Sequence, residues 1–439
     1  MSNQVPANPA ESKSRFVRFL KILGPGIITG AADDDPSGIA TYSQTGAQFG
    51  YGMLWTALYQ IPLLIAVQEA CARIGAVTGK GLAGVIKQHY GRTILTGAVL
   101  LVVVANTINI GADIGAVAAA GRLIVDVPFW FLAVLTAGIV VALEICVNYK
   151  HAAQVLKWLA LALLSYPITA LIIHEPWMQI LYATLVPHLE FTFAFLFIIT
   201  GVFGTSITPY MFFWQASEEV EEEIENNIPL TKAGKPRLPR KYLTDVAIDT
   251  TVGMLAAEIA QWFIIITTAT VLFSHGITNI ATAADAAKAL EPLVQSFPNA
   301  GLISKYIFAI GVVGLGLLTI PVLAGSAAYA MAEAFKWKEG LSEKFRDAKA
   351  FYGVIIISTL AGLLMNFVGI DPIKALVYTA VFNGIAAVPL LFIIARINGS
   401  KKILGTKRGG ILSQTFVWIT FGVMGLAATA LLYTLVFPH

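Results

Sequence analysis

The chain is a succession of apolar stretches of bilayer length, separated by short polar loops. In hydrocarbon every backbone N–H and C=O must find its partner inside the protein, so such stretches fold as helices packed on one another. One crossing takes about 20 apolar residues. The sequence divides into eleven candidate spans, at residues 22–46, 50–76, 93–121, 128–147, 151–174, 189–217, 243–274, 299–335, 350–369, 372–397 and 412–437. Composition agrees, because a chain that is 57% hydrophobic and 13% charged could not cover a soluble surface. The expected fold class is an all-α membrane protein with a polar tail at 1–21 and one transmembrane domain at 22–439. The first apolar run carries three aspartates and no cleavage site, unlike a secretory signal.

Cationic residues set the orientation. With the N-terminus inside, 25 of the 29 lysines and arginines fall on cytoplasmic segments, leaving Arg122, Lys288, Lys305 and Lys374 outside. That asymmetry is the one insertion produces, so a cytoplasmic N-terminus and an extracytoplasmic C-terminus in the plasma membrane are expected.

The first and sixth spans are interrupted. Asp33-Asp34-Asp35-Pro36-Ser37-Gly38 falls within the first, which also opens with Gly24-Pro25-Gly26; Gly204-Thr205-Ser206-Ile207-Thr208-Pro209-Tyr210 falls within the sixth. Proline removes an N–H and clashes with the preceding turn, so both helices should break there. Unpaired backbone at that depth is tolerated only where it lines a cavity or a ligand. The two breaks lie five spans apart, as in inverted five-helix repeats with broken helices around a central site. The repeats would be 22–174 and 189–397, with 412–437 as an additional helix.

From Gly24 to Trp55 the sequence resembles the natural resistance-associated macrophage protein (NRAMP) family of divalent metal transporters. Gly24-Pro25-Gly26, Asp35-Pro36, Ala40-Thr41, GAQFGY at 46–51 and Leu54-Trp55 follow that family's order and spacing, and CARIGAVTG at 71–79 looks like its second span. The resemblance implies the LeuT-type 5+5 inverted-repeat fold and transport of a divalent metal. It also implies Asp35 as a metal ligand and Thr205 as the residue offering a backbone carbonyl. Two positions depart from the family. Its Asp-Pro-Gly-Asn reads Asp35-Pro36-Ser37-Gly38 here, and its Met-Pro-His reads Thr208-Pro209-Tyr210. Thr208 thus stands at the metal-binding methionine, Gly38 at an asparagine ligand, and Tyr210 at a histidine linked to proton movement. In these features the chain resembles the NRAMP-related magnesium transporter branch.

The departures change the ligand chemistry. Without a thioether, which suits transition metals, the site offers the Asp35 carboxylate, the Thr208 hydroxyl and freed carbonyls. These hard oxygens suit Mg²⁺, which gives up its water reluctantly, so the expected cargo is partly hydrated Mg²⁺ with Mn²⁺ also carried. Asp34 and Asp33 point about 100° and 200° away from Asp35 on a helix. They either reach the ion through water or along its access path, or they form the wet wall of a cavity. Asn383 contacts a hydrated ion or makes an inter-helix hydrogen bond. Asp113 is the candidate acid of the third span. Because Tyr210 does not titrate near neutral pH, transport without proton coupling is expected. The alternatives are a proton-coupled Mn²⁺/Fe²⁺ transporter, an organic-amine transporter on the same fold, and a passive cation channel.

The glutamates of residues 218–225 read either as a solvated run or as a cytoplasmic metal-receiving patch. Cys71 and Cys146 read as buried free thiols. Glu69, Glu144 and Glu258 are expected to pair within the bundle or face water. No nucleophile–base pair and no nucleotide-binding glycine loop is present, so neither an enzyme nor an ATP-driven pump is expected. No cofactor, nucleic acid or obligate protein partner is implied; the partners are the cation and the lipid bilayer.

Overall fold

The computed structural model describes residues 29–437 except 31, 147–158, 232–233 and 240. The expected tail, the Gly24-Pro25-Gly26 segment and the opening of the fifth span lie outside the described residues. What is described is nearly all helical. The principal helices are α1 (Pro36–Phe49), α2 (Trp55–Thr78), α3 (Leu82–His89), α4 (Arg92–Gly121), α5 (Phe129–Cys146), α6 (Ser165–Ile172) and α7 (Trp177–Leu185). They continue with α8 (Phe193–Ser206), α9 (Pro209–Glu225), α10 (Tyr242–Val271), α11 (Ala300–Phe335), α12 (Lys349–Met365), α13 (Pro372–Asn398) and α14 (Ile411–Val436).

Among the described residues eight helices are long and apolar enough to cross a membrane, with α8 and α9 counted as one, and α12 is a shorter apolar helix. Burial sorts them. The most apolar stretch of α8–α9 is 94% buried and that of α14 is 22% buried, so the sixth span runs through the centre and the last helix lies on the outside. α1 packs on α10, α8 on α13, and α4 along α11, while α2 touches both α9 and α10. Close approach needs small residues. A Cβ at Gly75 would overlap the carbonyl oxygen of Ala216, so α2 and α9 meet backbone to backbone.

Three expectations need correction. Cys146 is exposed, because it ends α5, a peripheral helix with only 28% of its apolar stretch buried; Cys71 is buried as expected. The glutamate run is not a solvated face: Glu218, Glu219, Glu221 and Glu223 are all under 7% exposed. α9 stays inside the bundle to its last turns, and its carboxylates find donors there. Glu221 accepts the Leu341 N–H at 2.7 Å and the Tyr329 hydroxyl, and Glu219 accepts the Gln215 amide at 3.0 Å. Glu69 pairs with Arg73 one turn along α2. Glu144 is buried with both oxygens unpartnered, so the expected pairing is not made.

Gly75→Val forces α2 away from α9, and overpacking of this kind costs about 1–3 kcal/mol. The expected result is a lower melting temperature in detergent, whereas Gly97→Val, with nothing within 4 Å of its added Cβ, leaves it unchanged.

Candidate ion-binding site

Both breaks are made the same way. Pro36 and Pro209 are the first residues of α1 and α9, and the residues before them, Asp35 and Thr208, are extended. Since proline has no N–H, the carbonyls four residues earlier, at Ala32 and Thr205, lose their helical donors. The two starts differ in one respect. Asp35 caps its own helix: Oδ1 accepts the Gly38 N–H at 2.7 Å and the Ser37 hydroxyl at 2.6 Å. Thr208 caps nothing, and its buried hydroxyl has no partner.

The breaks face each other. Ser37 Oγ and Thr205 Oγ1 share a hydrogen bond of 3.0 Å, and the Tyr210 hydroxyl donates to the Ala32 carbonyl at 2.8 Å. Ser326 of α11 in turn donates to the Tyr210 carbonyl at 2.7 Å. From α4, Asn109 Nδ2 donates to Asp35 Oδ2 at 3.2 Å, and Asn109 Oδ1 has no partner. Sequence reasoning missed Asn109 and Ser37 as site residues. The available signal for Asn109 was its place one turn before Asp113, on the same face of an apolar helix.

The remaining expected residues fall around this centre. Asp113 is fully buried, its charge reaches Asp35, and its Oδ2 accepts the Thr319 hydroxyl at 3.5 Å. Gly38 brings no side-chain atom and lies in a tight place: a Cβ there would sit 3.3 Å from the Tyr42 ring and 3.6 Å from Asp35 Oδ1. Asp33 and Asp34 are buried, and each leaves Oδ1 unpartnered. Asn383 is 2% exposed and makes no hydrogen bond among the described residues, so the inter-helix bond is not formed. Among the described residues no three carboxylate, imidazole or thiolate groups gather closely enough to hold a metal. The centre therefore offers one carboxylate and several neutral oxygens: the Thr208 hydroxyl, the Thr205 carbonyl and the Asn109 amide. α8 ends at the break, which brings the negative end of its dipole to the same place.

This centre is closed off. Asp35 is 1% exposed and Thr208 is fully buried. A cavity of about 710 Å³ lies beside Arg122, Asn366 and Asp371, but Ile39, Ala116, Ile280, Ala283 and Phe308 separate it from Pro36 and enclose only about 10 Å³. The Gln44 side chain holds the 278–280 segment over α1, donating to the Thr278 carbonyl at 3.0 Å and accepting the Ile280 N–H at 2.9 Å.

A buried carboxylate and freed backbone carbonyls between two broken helices define a helical membrane protein of the ion- or solute-transporting class. Residues 26–434 match the family model for natural resistance-associated macrophage protein-like proteins, and the chain belongs to that family. It is 26% identical over 426 residues to the divalent metal cation transporter MntH of Caldanaerobacter subterraneus subsp. tengcongensis, covering 93% of each chain. Its fold matches the manganese transporter of Eremococcus coleocola, with TM-score 0.74, 15% identity and coverage of 99% of this chain and 91% of that one. It also matches MhsT solved with L-phenylalanine, with TM-score 0.56, 14% identity and coverage of 97% and 98%. Members of this family are transporters, not enzymes.

Asn109→Leu removes the donor that orients Asp35. Loss of such a supporting contact lowers metal affinity about 10–100-fold. Mn²⁺ titration calorimetry on the purified variant is expected to show a loss in that range with the fold intact by melting.

Proposed function

We propose that the protein carries divalent metal cations across the plasma membrane, Mg²⁺ foremost and Mn²⁺ as well, by alternating access around Asp35. The observation that carries this reading is that the two breaks face each other through the Ser37–Thr205 hydrogen bond, with the Asp35 carboxylate on one break and the unpartnered Thr208 hydroxyl on the other. The ligands are Asp35, Thr208 Oγ1 and the Thr205 carbonyl, and Gly38 brings no side-chain ligand of its own. Asn109, Asp113, Tyr210 and Asn383 surround them, and Asp33 and Asp34 lie on the N-terminal side. Hard oxygens suit an ion that sheds its hydration reluctantly. The relatives named for divalent metal or manganese transport fit the same ion class. The metal enters as substrate and not as cofactor.

The architecture belongs to the same proposal. Eight long helices, the shorter α12, the broken first span and the partly described fifth span fit eleven crossings. They would form repeats over 22–174 and 189–397 with 412–437 added, the N-terminus cytoplasmic and the C-terminus outside. A single chain suffices for the site.

Transport runs without proton coupling in this reading. Tyr210 holds the Ala32 carbonyl instead of shuttling a proton. The membrane potential can drive uptake: a doubly charged ion gains roughly 4.6 kcal/mol per 100 mV, over three decades of gradient. Mg²⁺ uptake into proteoliposomes is expected to proceed with no acidification of the lumen and to be lost in Asp35→Ala. One observation favours the second reading, a proton-coupled Mn²⁺/Fe²⁺ transporter: Asp113 is buried within charge range of Asp35. Lumenal acidification in step with metal entry would establish it and end the uncoupled reading.

Thr208→Met places a thioether where the hydroxyl stands. Soft metals gain and Mg²⁺ loses, so Cd²⁺ uptake measured against Mg²⁺ uptake is expected to rise at least about tenfold, equivalent to 1.4 kcal/mol.

A further inference from the structure

The cavity of about 710 Å³ beside Arg122 adjoins a second one of about 240 Å³, and Asn366, Ile370 and Pro372 line both. The larger part lies at the helix ends, against Arg122 just past α4 and against Pro372 and Ile373, the first residues of α13. The smaller part lies within the helices, against Ile108 and Gly111 of α4 and Ala375, Tyr378 and Phe382 of α13. Spacings of three and four keep these residues on one face of each helix. From Pro372 to Phe382 the groove follows α13 for roughly 15 Å. Its floor is tightly built: a Cβ at Gly111 would sit 2.8 Å from the Gly362 carbonyl oxygen, and Asn366 Nδ2 donates to the Gly111 carbonyl at 2.9 Å. Its inner wall is apolar, since the Thr379 hydroxyl is taken by the Ala375 carbonyl at 2.6 Å. On the rim Ile370 and Tyr378 are 52% and 57% exposed. The charges stand at the other end. Arg122 is exposed and makes no ion pair among the described residues. Asp371 Oδ1 accepts the Ile373 and Lys374 N–H groups at 3.0 and 3.1 Å, and Oδ2 makes no hydrogen bond among the described residues. Asp285, beside the lining residue Ala284, is already paired with Lys288 at 2.8 Å.

We propose that this groove holds one phospholipid whose head group carries a phosphate and a primary ammonium, with an acyl chain in the slot between α4 and α13. The order of the groove is the order of such a molecule in a bilayer: charge where the helices end, hydrocarbon where they run inward. The guanidinium fork of Arg122 matches phosphate oxygens. A primary ammonium offers three N–H donors to the Asp371 carboxylate, and a quaternary ammonium offers none. A lipid with a purely anionic head would satisfy Arg122 but meet Asp371 as a like charge. A small soluble solute would leave the apolar slot unfilled. The site stands apart from Asp35, because Ile39, Ala116, Ile280 and Phe308 lie between them. The lipid would touch α4, α12 and α13 together, at the end of the bundle where the 366–371 turn joins the last two.

The test is native mass spectrometry of the delipidated full-length protein, titrated with phosphatidylethanolamine, phosphatidylcholine and phosphatidylglycerol of identical chains. One phosphatidylethanolamine is expected to bind per chain, ahead of the other two lipids. Arg122→Ala is expected to weaken it at least about tenfold, the loss of a hydrogen bond to a charged group. Asp371→Asn keeps the helix cap and is expected to abolish the preference over phosphatidylglycerol while binding persists. Ala375→Phe fills the slot and is expected to prevent binding, whereas Lys305→Ala, which does not line the groove, leaves it unchanged. Melting in detergent checks that each variant is folded. Should Ala375→Phe not fold, dihexanoyl phosphatidylethanolamine takes its place, with binding to wild type expected to fall at least about tenfold for want of buried chain. Equal binding of all three lipids, a preference for phosphatidylglycerol, or undiminished binding in Arg122→Ala or in folded Ala375→Phe would overturn the proposal.

Discussion

A proline inside a membrane helix leaves the carbonyl four residues earlier without a donor, and hydrocarbon offers no water to replace it. Here this happens twice, at Ala32 and Thr205, and the surrounding structure answers each case differently. Ala32 is satisfied from the opposite break by the Tyr210 hydroxyl. At the other break the Thr208 hydroxyl is left without a partner. One break is therefore closed by a side chain reaching across from the other. The central position of the sixth span, the most buried of the crossings, follows from the need to shield such backbone from lipid.

The electrostatics of the centre are built from few charges. Asp35 spends Oδ1 on its own helix start and Oδ2 on Asn109, so its orientation is fixed before any ion arrives. In the proposed reading such preorganisation lowers the cost of binding a cation, because the carboxylate is already ordered. The apolar layer of Ile39, Ala116, Ile280 and Phe308 then keeps bulk water from the pair. A low local dielectric strengthens the attraction between the carboxylate and a cation, and it also makes any unpaired carboxylate nearby expensive. Glu258, Asp33 and Asp34 are buried in that setting.

Periodicity and proline placement made most of the fold legible. α2, α4, α11, α13 and α14 fall where apolar runs of bilayer length stand, and the breaks fall at Pro36 and Pro209. Local rules of this kind depend only on neighbours in sequence. What escaped depends on distant contacts. Asn109 joins the site through a partner 74 residues away. The glutamates of α9 looked solvated because charge density alone cannot reveal that Leu341 and Tyr329 fold over them. Cys146 looked buried because an apolar neighbourhood in sequence is the same whether it faces protein or lipid. Asn383 was placed in the right helix, but the bond offered for it is not formed.

The seam at Gly75 has a mechanical consequence. With no side chain between them, α2 and α9 have no slack, and a shift of one along the other would drive backbone into backbone. α9 is consequently tied to α2 at Ala216, midway between the break at Thr208 and the glutamate-bearing end. Its 17 residues make it roughly 25 Å long, and a displacement anywhere along that length is passed to α2 at the seam. Glycine at a single position thus makes two long helices behave as one body beside the break.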